Sequence, residues 1–274
     1  MKLPEPEMLK FEGLNVSYHK LGAGQPLLLL HGSGPGASSI GNWRAVLEPL
    51  ASKFTVYAMD LIGFGQSARK PDEPYFDFAM WSRQAAAMLE IIPGPRVGLI
   101  GHSLSGALAL TLAANDPRVA GVLTTGSMGA PFEPTEATRR TWTCPTNREE
   151  LVKALHGLVF NKDLINKPYI AAREPVLFAS GYAQYFNAMF RGDLRQYADA
   201  AILPMDRLAK IHCPVLMLHG RDDVAFPQEV TQRIAKGIPQ ADVMLLGNCS
   251  HSIAFEHPEK FLFLSIEFFN KHLK

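Results

Sequence analysis

Residues 96–115 read R-V-G-L-I-G-H-S-L-S-G-A-L-A-L-T-L-A-A-N. The apolar run 97–100 suits a short strand buried on both faces. A helical stretch follows at once, over about 104–114, with Ser103 on the turn between them. Gly101, Ser105 and Gly106 keep the neighbours of that turn small. A strand, a sharp turn carrying serine and then a helix make a nucleophile elbow, in which a strained backbone lifts the hydroxyl clear of the sheet. The amide of Leu104 then falls at a helix N-terminus, where unpaired N–H groups and the macrodipole favour an oxyanion. The general pattern is G-x-S-x-G, and Ser105 takes its last place as a small residue the close packing tolerates. Five residues alone also fit a small-residue helix start after any parallel strand, so the partners of the serine decide.

Working outward, strands are expected at 14–19, 26–30, 54–60, 121–125, 214–219 and 241–246, with helices at about 43–50, 76–92, 227–237 and from Pro258 onward. Strand and helix alternating at this spacing imply a parallel sheet covered on both faces. The rhythm breaks between 130 and 204, where helix-like segments rich in Leu, Ala, Phe, Tyr and Met replace strands. The expected division is therefore a core of residues 1–130 and 205–274 and a helical lid of residues 131–204 over the strand ends.

Composition narrows the function classes. The chain has 274 residues, 47% of them hydrophobic, which suits one large domain or a core with an insertion. A net charge of +1 from 27 basic and 26 acidic residues gives no footprint for nucleic acid or a membrane surface. Cys144, Cys213 and Cys249 lack metal-site spacing and point to reduced thiols in a cytoplasmic protein. The opening M-K-L-P-E-P-E lacks a signal core, and no run nears the ~18 apolar residues of a membrane span.

Two residues make the serine chemically interesting. Asp223, in H-G-R-D-D-V-A-F-P (219–227), and His251, in G-N-C-S-H-S-I (247–253), each follow a strand at the edge where parallel sheets place functional groups. Ser, then Asp, then His is the triad order of the α/β-hydrolase fold. His251 would take the proton of Ser103, and Asp223 would fix the imidazole's tautomer and stabilise the imidazolium. Asp223 has the G-x-x-D-x-x-x-P spacing from Gly220 to Pro227, with Asp222 as the fallback. The Gly-rich H-G-S-G-P-G-A-S-S (31–39) has two readings. Gly32, Gly34 and Ala37 fit G-x-G-x-x-A, with Asp60 ending the next strand, as in a nicotinamide oxidoreductase. Pro35 removes an amide from such a phosphate cradle, and Asp60 comes late, so an oxyanion loop pairing the Ser33 amide with that of Leu104 is favoured. A ligand receptor on a hydrolase scaffold is the third class.

With these pieces placed, the chain resembles the meta-cleavage-product hydrolases (2-hydroxy-6-oxo-hexa-2,4-dienoate type) of the α/β-hydrolase superfamily. The likeness rests on H-G-S-G-P-G-A-S-S-I-G-N-W (31–43), M-D-L-I-G-F-G-Q-S (59–67), G-S-M-G (126–129), the lid entry near Trp142, Y-F-N-A-M-F (185–190) and the acid and base loops. It covers essentially the whole chain. It implies a mostly parallel eight-stranded sheet, helices on both faces and a helical lid. Its implied chemistry is tautomerisation of a dienol, attack by Ser103 or by water activated through His251, and release of a 2-hydroxydienoate and a carboxylic acid. No metal or organic cofactor is implied, and a homodimer is common among such proteins. By position, Asn42 would bind the dienoate end, and Gly32, Gly34, His102, Arg173 and Ser252 would join it around the substrate. The chain departs from the family pattern at His102 for the usual Asn, Ser252 for the usual Trp, and Pro168 for the usual carboxylate-binding arginine. Arg173 is the nearby cation left to replace that arginine. A carboxylesterase with the same triad is therefore the alternative, since G-H-S followed by a small residue is common in esterases.

Overall fold

The computed structural model describes residues 4–274. Eight strands form one sheet: β1 (Glu7–Phe11), β2 (Leu14–Leu21), β3 (Pro26–Leu30), β4 (Thr55–Met59), β5 (Val97–His102), β6 (Val119–Thr125), β7 (Val215–Gly220) and β8 (Ala241–Leu246). Their order across the sheet is β1-β2-β4-β3-β5-β6-β7-β8. β1 and β2 pair antiparallel, β2 joins β4 antiparallel, and every later pairing is parallel. The switch from β3 outward to β4 on one side and β5 on the other puts the loops after β3 and β5 beside each other, where ligands of such sheets collect.

The leucines of β3, Leu27 to Leu30, are all fully buried, because helices cover both faces of the sheet. Each contributes about 1.5–3 kcal/mol relative to exposure. One face packs on Phe78–Ile91, Leu104–Ala113 and Gln228–Gly237, through Trp81, Met88, Leu108 and Ile234. The other packs on the short helices Ser39–Trp43 and Leu47–Ala51 and on Pro258–His272, through Trp43, Leu50, Phe261 and Phe269. Helix Leu104–Ala113 is buried along nearly its whole length, which explains its lack of any polar face.

Several expected boundaries move. β1 lies outside the strands the sequence pattern predicts, because its outer-edge position leaves it mostly exposed and its E-M-L-K-F carries little apolar pattern. The expected helix over 43–50 is two short helices broken at 44–46. The long helix begins at Phe78, capped by the Asp77 side chain on the Met80 amide, rather than at 76. In the last helix most apolar side chains pack on the sheet, but Phe263 is 68% exposed.

Between β6 and β7 the chain contributes helices only, chiefly Glu136–Thr141, Arg148–Gly157, Lys167–Leu177, Tyr182–Met189 and Arg195–Ala200. The Leu203 amide donates to the Gly129 carbonyl at 2.9 Å, so the excursion leaves and rejoins the core at one point. Phe186, Met189 and Phe190 are buried, and Phe190 stacks on Trp142 at 5.1 Å.

Candidate active site

Ser103 joins β5 directly to helix Leu104–Ala113 with φ 58° and ψ −122°. A non-glycine residue in such a region costs on the order of 1–3 kcal/mol and persists only where its surroundings enforce it. Here the Ser103 amide donates to the Thr125 carbonyl at 2.8 Å, and its carbonyl accepts from Met128 at 3.1 Å and Gly106 at 2.9 Å. The close pass behind the turn falls at Gly106, where a Cβ would lie 2.2 Å from Ser127 Oγ. More than tolerance explains the serine at 105, which is fully buried. Ser105 Oγ donates to the His31 carbonyl at 2.5 Å, fastening the elbow helix to the start of the Gly-rich loop.

That loop is held from several sides. The Leu61 amide donates to His31 Nε2 at 3.0 Å, so Nδ1 carries the ring proton and donates to the Gly32 carbonyl at 2.6 Å. Burial drives the His31 pKa down, against the charge of Asp60, and keeps the ring neutral. Asp60 accepts from the amides of Ser39 at 2.7 Å and Gln66 at 2.8 Å, so this carboxylate braces two loops. Its distance from any ribose-binding role follows from those two bonds. Trp142, from the helical insertion, donates its indole N–H to Ser33 Oγ at 3.1 Å.

On the other side, His251 Nδ1 lies 2.7 Å from Asp223 Oδ2, and both side chains are almost wholly buried. Since the carboxylate only accepts, Nδ1 is the donor in this pair, and Nε2 is the nitrogen left to face the cavity side of the ring. Asp223 Oδ1 accepts from the amides of Ala225 and Phe226 at 3.0 Å each. Burial would raise the Asp223 pKa, but the charge and hydrogen bond of His251 outweigh it and the net displacement is downward. Asp222 instead caps the neighbouring turn, accepting from the Cys249 amide at 3.2 Å. Phe226 stacks on the His251 ring at 4.5 Å. Gly126, at φ +53°, leaves the other flank clear: a Cβ there would lie 2.8 Å from His251 Nδ1.

One cavity between the core loops and the insertion brings the pieces together. Gly32, Ser33, Gly34, Asn42, His102, Ser103, Arg173, His251 and Ser252 all line it. Leu104 and Asp223 stand behind that wall, Leu104 as the first residue of its helix and Asp223 against His251. Leu104's amide belongs to the first turn, whose N–H groups the helix itself cannot pair. Asn42 Oδ1 accepts from the Gly32 amide at 3.3 Å, which turns its NH2 into the free end of the side chain. His102 donates from Nδ1 to Thr125, at 2.9 Å from the hydroxyl and 3.2 Å from the carbonyl, and its ring lies 4.7 Å from that of His251. Burial, then the neighbouring His251, push its pKa down to about 3, so it meets the cavity as a neutral ring.

Arg173 is not the lone cation expected there. Arg44 and Arg140 line the same cavity. Arg44 stacks on Tyr169 at 4.0 Å, while Arg173 lies 5.3 Å from the same ring and donates to its hydroxyl at 3.0 Å. Arg140 has Glu136 as a partner at 3.6 Å, whereas among the described residues neither Arg44 nor Arg173 is in an ion pair. The sequence signal for Arg44 was its place directly after the quoted N-W, two residues from Asn42. Among the described residues no group of three or more His, Cys, Asp or Glu is placed to hold a metal ion.

A profile of the alpha/beta hydrolase family matches residues 27–262. The chain belongs to the alpha/beta hydrolase family. This hydrolase is 31% identical to a 2-hydroxymuconate semialdehyde hydrolase of Pseudomonas sp. (strain CF600), over 93% of this chain and 90% of that one. It is 30% identical to a 2-hydroxy-6-oxo-2,4-heptadienoate hydrolase of Pseudomonas putida, over 93% of each. A solved meta-cleavage product hydrolase from Pseudomonas fluorescens IP01, complexed with acetates, superposes on it with a TM-score of 0.91 at 26% identity. That match covers 97% of both chains. No helix of the hydrolase among the described residues is long and apolar enough to cross a membrane.

Proposed function

We propose that this hydrolase cleaves a carbon–carbon bond in a meta-cleavage-type 2-hydroxy-6-oxo-dienoate, giving a 2-hydroxydienoate and a carboxylic acid. The observation that carries the reading is the shared cavity. A strained Ser103 and an Asp223-bonded His251 line it together with Asn42 and the Arg44–Arg173 pair, which among the described residues has no acidic partner in an ion pair. The relatives' names point to the same substrate class.

Nε2 of His251 takes a proton from Ser103 or from water, and Asp223 stabilises the imidazolium that results. The substrate first moves its enol proton from oxygen to carbon, which makes the departing fragment a stabilised dienolate. Attack on the 6-oxo carbon puts negative charge on its oxygen, where the amides of Ser33 and Leu104 donate to it. One such donor is worth about 2.7–4 kcal/mol in other hydrolases. Carbon–carbon cleavage then expels the dienolate, which takes up the proton held on His251, and water releases the acid from Ser103. The substrate carboxylate lies toward Arg44 and Arg173, and the apolar side chains of the inserted helices receive the acyl substituent. The insertion acts as a lid that keeps bulk water from the dienolate.

The test is turnover of a chromogenic ring-cleavage product beside p-nitrophenyl esters. Ser103→Ala is expected to lower turnover of the dienoate at least about a thousandfold. Fast ester turnover with a silent dienoate assay would assign the triad to carboxylesterase chemistry instead.

A further inference from the structure

We propose that His219 and Thr231 form a buried relay that holds Asp223, and through it His251, in working geometry. The inference rests on the triad reading above and names two positioning residues behind it. His219, next to last in its strand, is fully buried, and Thr231, on helix Gln228–Gly237, is equally enclosed. His219 Nε2 lies 3.0 Å from the Phe226 carbonyl and 3.5 Å from Asp223 Oδ2. Both oxygens only accept, so Nε2 carries the ring proton. Nδ1 must then accept, and Thr231 Oγ1, at 2.8 Å, supplies the hydrogen. One tautomer satisfies every contact: the Phe226 carbonyl fixes it, and the threonine hydroxyl supplies the hydrogen that Nδ1 accepts.

The N–H fixed in this way acts along two routes. It holds the carbonyl of Phe226, whose amide bonds Asp223 Oδ1 and whose ring stacks on His251. It also turns a positive dipole end toward Asp223 Oδ2, the oxygen that His251 uses. A neutral donor suits this place better than an arginine or lysine. A full positive charge beside Asp223 would cancel the carboxylate charge that His251 needs when it becomes an imidazolium. Burial keeps His219 neutral, against the opposing pull of Asp223. The charged or titratable groups acting on the ring are Asp223 and, behind it, His251 from the core loops, with Glu229 from the neighbouring helix.

Thr231→Val keeps the side-chain shape and deletes the hydrogen given to Nδ1. His219 then either leaves a buried nitrogen unpaired or shifts its proton and turns a lone pair toward two oxygens. The expected result is a roughly 5- to 10-fold fall in kcat. With less positive dipole at Asp223, the imidazolium is favoured, so the acid limb of the kcat/KM profile moves to higher pH. Thr231→Ser, which retains the hydroxyl, restores both. A residue that only packs would change Tm and leave kcat and the profile alone. Folded Thr231→Val with wild-type kcat and an unmoved acid limb, beside an inactive Ser103→Ala, overturns the relay and spares the triad. Ser103→Ala with full turnover removes the triad itself. Should Thr231→Val fail to fold, the same readings on His219→Gln, which keeps an N–H toward the carbonyl, decide: near-normal kcat supports the relay, and the loss seen with His219→Phe but not His219→Gln is required by it.

Discussion

Gly126 sets how closely the backbone can pass His251. It occupies φ +53°, and any side chain would press on the imidazole within 2.8 Å of Nδ1. Gly126→Ala is therefore expected to lower kcat by at least about tenfold, since a 1 Å displacement of a catalytic group can cost about a hundredfold. Its KM should change less; a variant with unchanged kcat would show that the loop yields without moving the ring. Elsewhere in the cavity lining, Arg44→Met and Arg173→Met keep much of the stacking bulk and remove charge. Each is expected to raise KM for a carboxylate-bearing substrate roughly tenfold or more, since a charge-assisted bond contributes about 1.5–3 kcal/mol. A neutral ester of similar shape should be affected far less, and equal effects on both would disconnect the pair from carboxylate recognition.

At the level of the elements, one of the contacts that join insertion to core centres on Trp142. Trp142 donates to Ser33 Oγ, stacks flat on Phe190 at 8°, and touches Phe226 edge-on. Trp142→Phe retains the stack and loses the donor, at a cost of about 1 kcal/mol. Backbone amides of the inserted helices should then exchange faster with solvent, with little change for the sheet; uniform exchange across both would count against a separately loosening insertion. Much of this arrangement is legible in the sequence, because buried parallel strands such as P-L-L-L-L announce themselves and the loops after them carry the chemistry. Ser103, Asp223 and His251 could each be placed after a strand end without coordinates. The rest depends on contacts between distant segments. Nothing local to Arg44 shows that Tyr169 will lie under it, and nothing in H-G-R-D-D shows that Thr231 will bond Nδ1 of His219. β1 escaped notice for the opposite reason: its edge position asks little of its side chains.

The whole molecule carries a cost in acid. His31, His102 and His219 are all held neutral by burial, His102 with a pKa lowered from 6.5 to about 3. Below the unfolded pKa the unfolded chain takes up protons that these folded rings refuse. Stability is thus whole above about pH 6.5 and falls as the pH drops below it, for His102 down to about 3. Each such ring contributes at most about 1.4 kcal/mol per pH unit. Urea midpoints measured from pH 8 to pH 5 should decline over the lower part of the range, and His102→Asn should decline less steeply. Parallel slopes for the two proteins would mean that His102 already titrates in the folded state.

The bond from Leu203 to Gly129 closes the neck of the helical excursion, with Ser103 upstream of it and Asp223 and His251 downstream. The proposed triad is thereby decoupled in sequence from the wall proposed to meet the acyl substituent. Exchanging that wall would alter which molecules arrive at the serine and leave the means of breaking their bonds untouched.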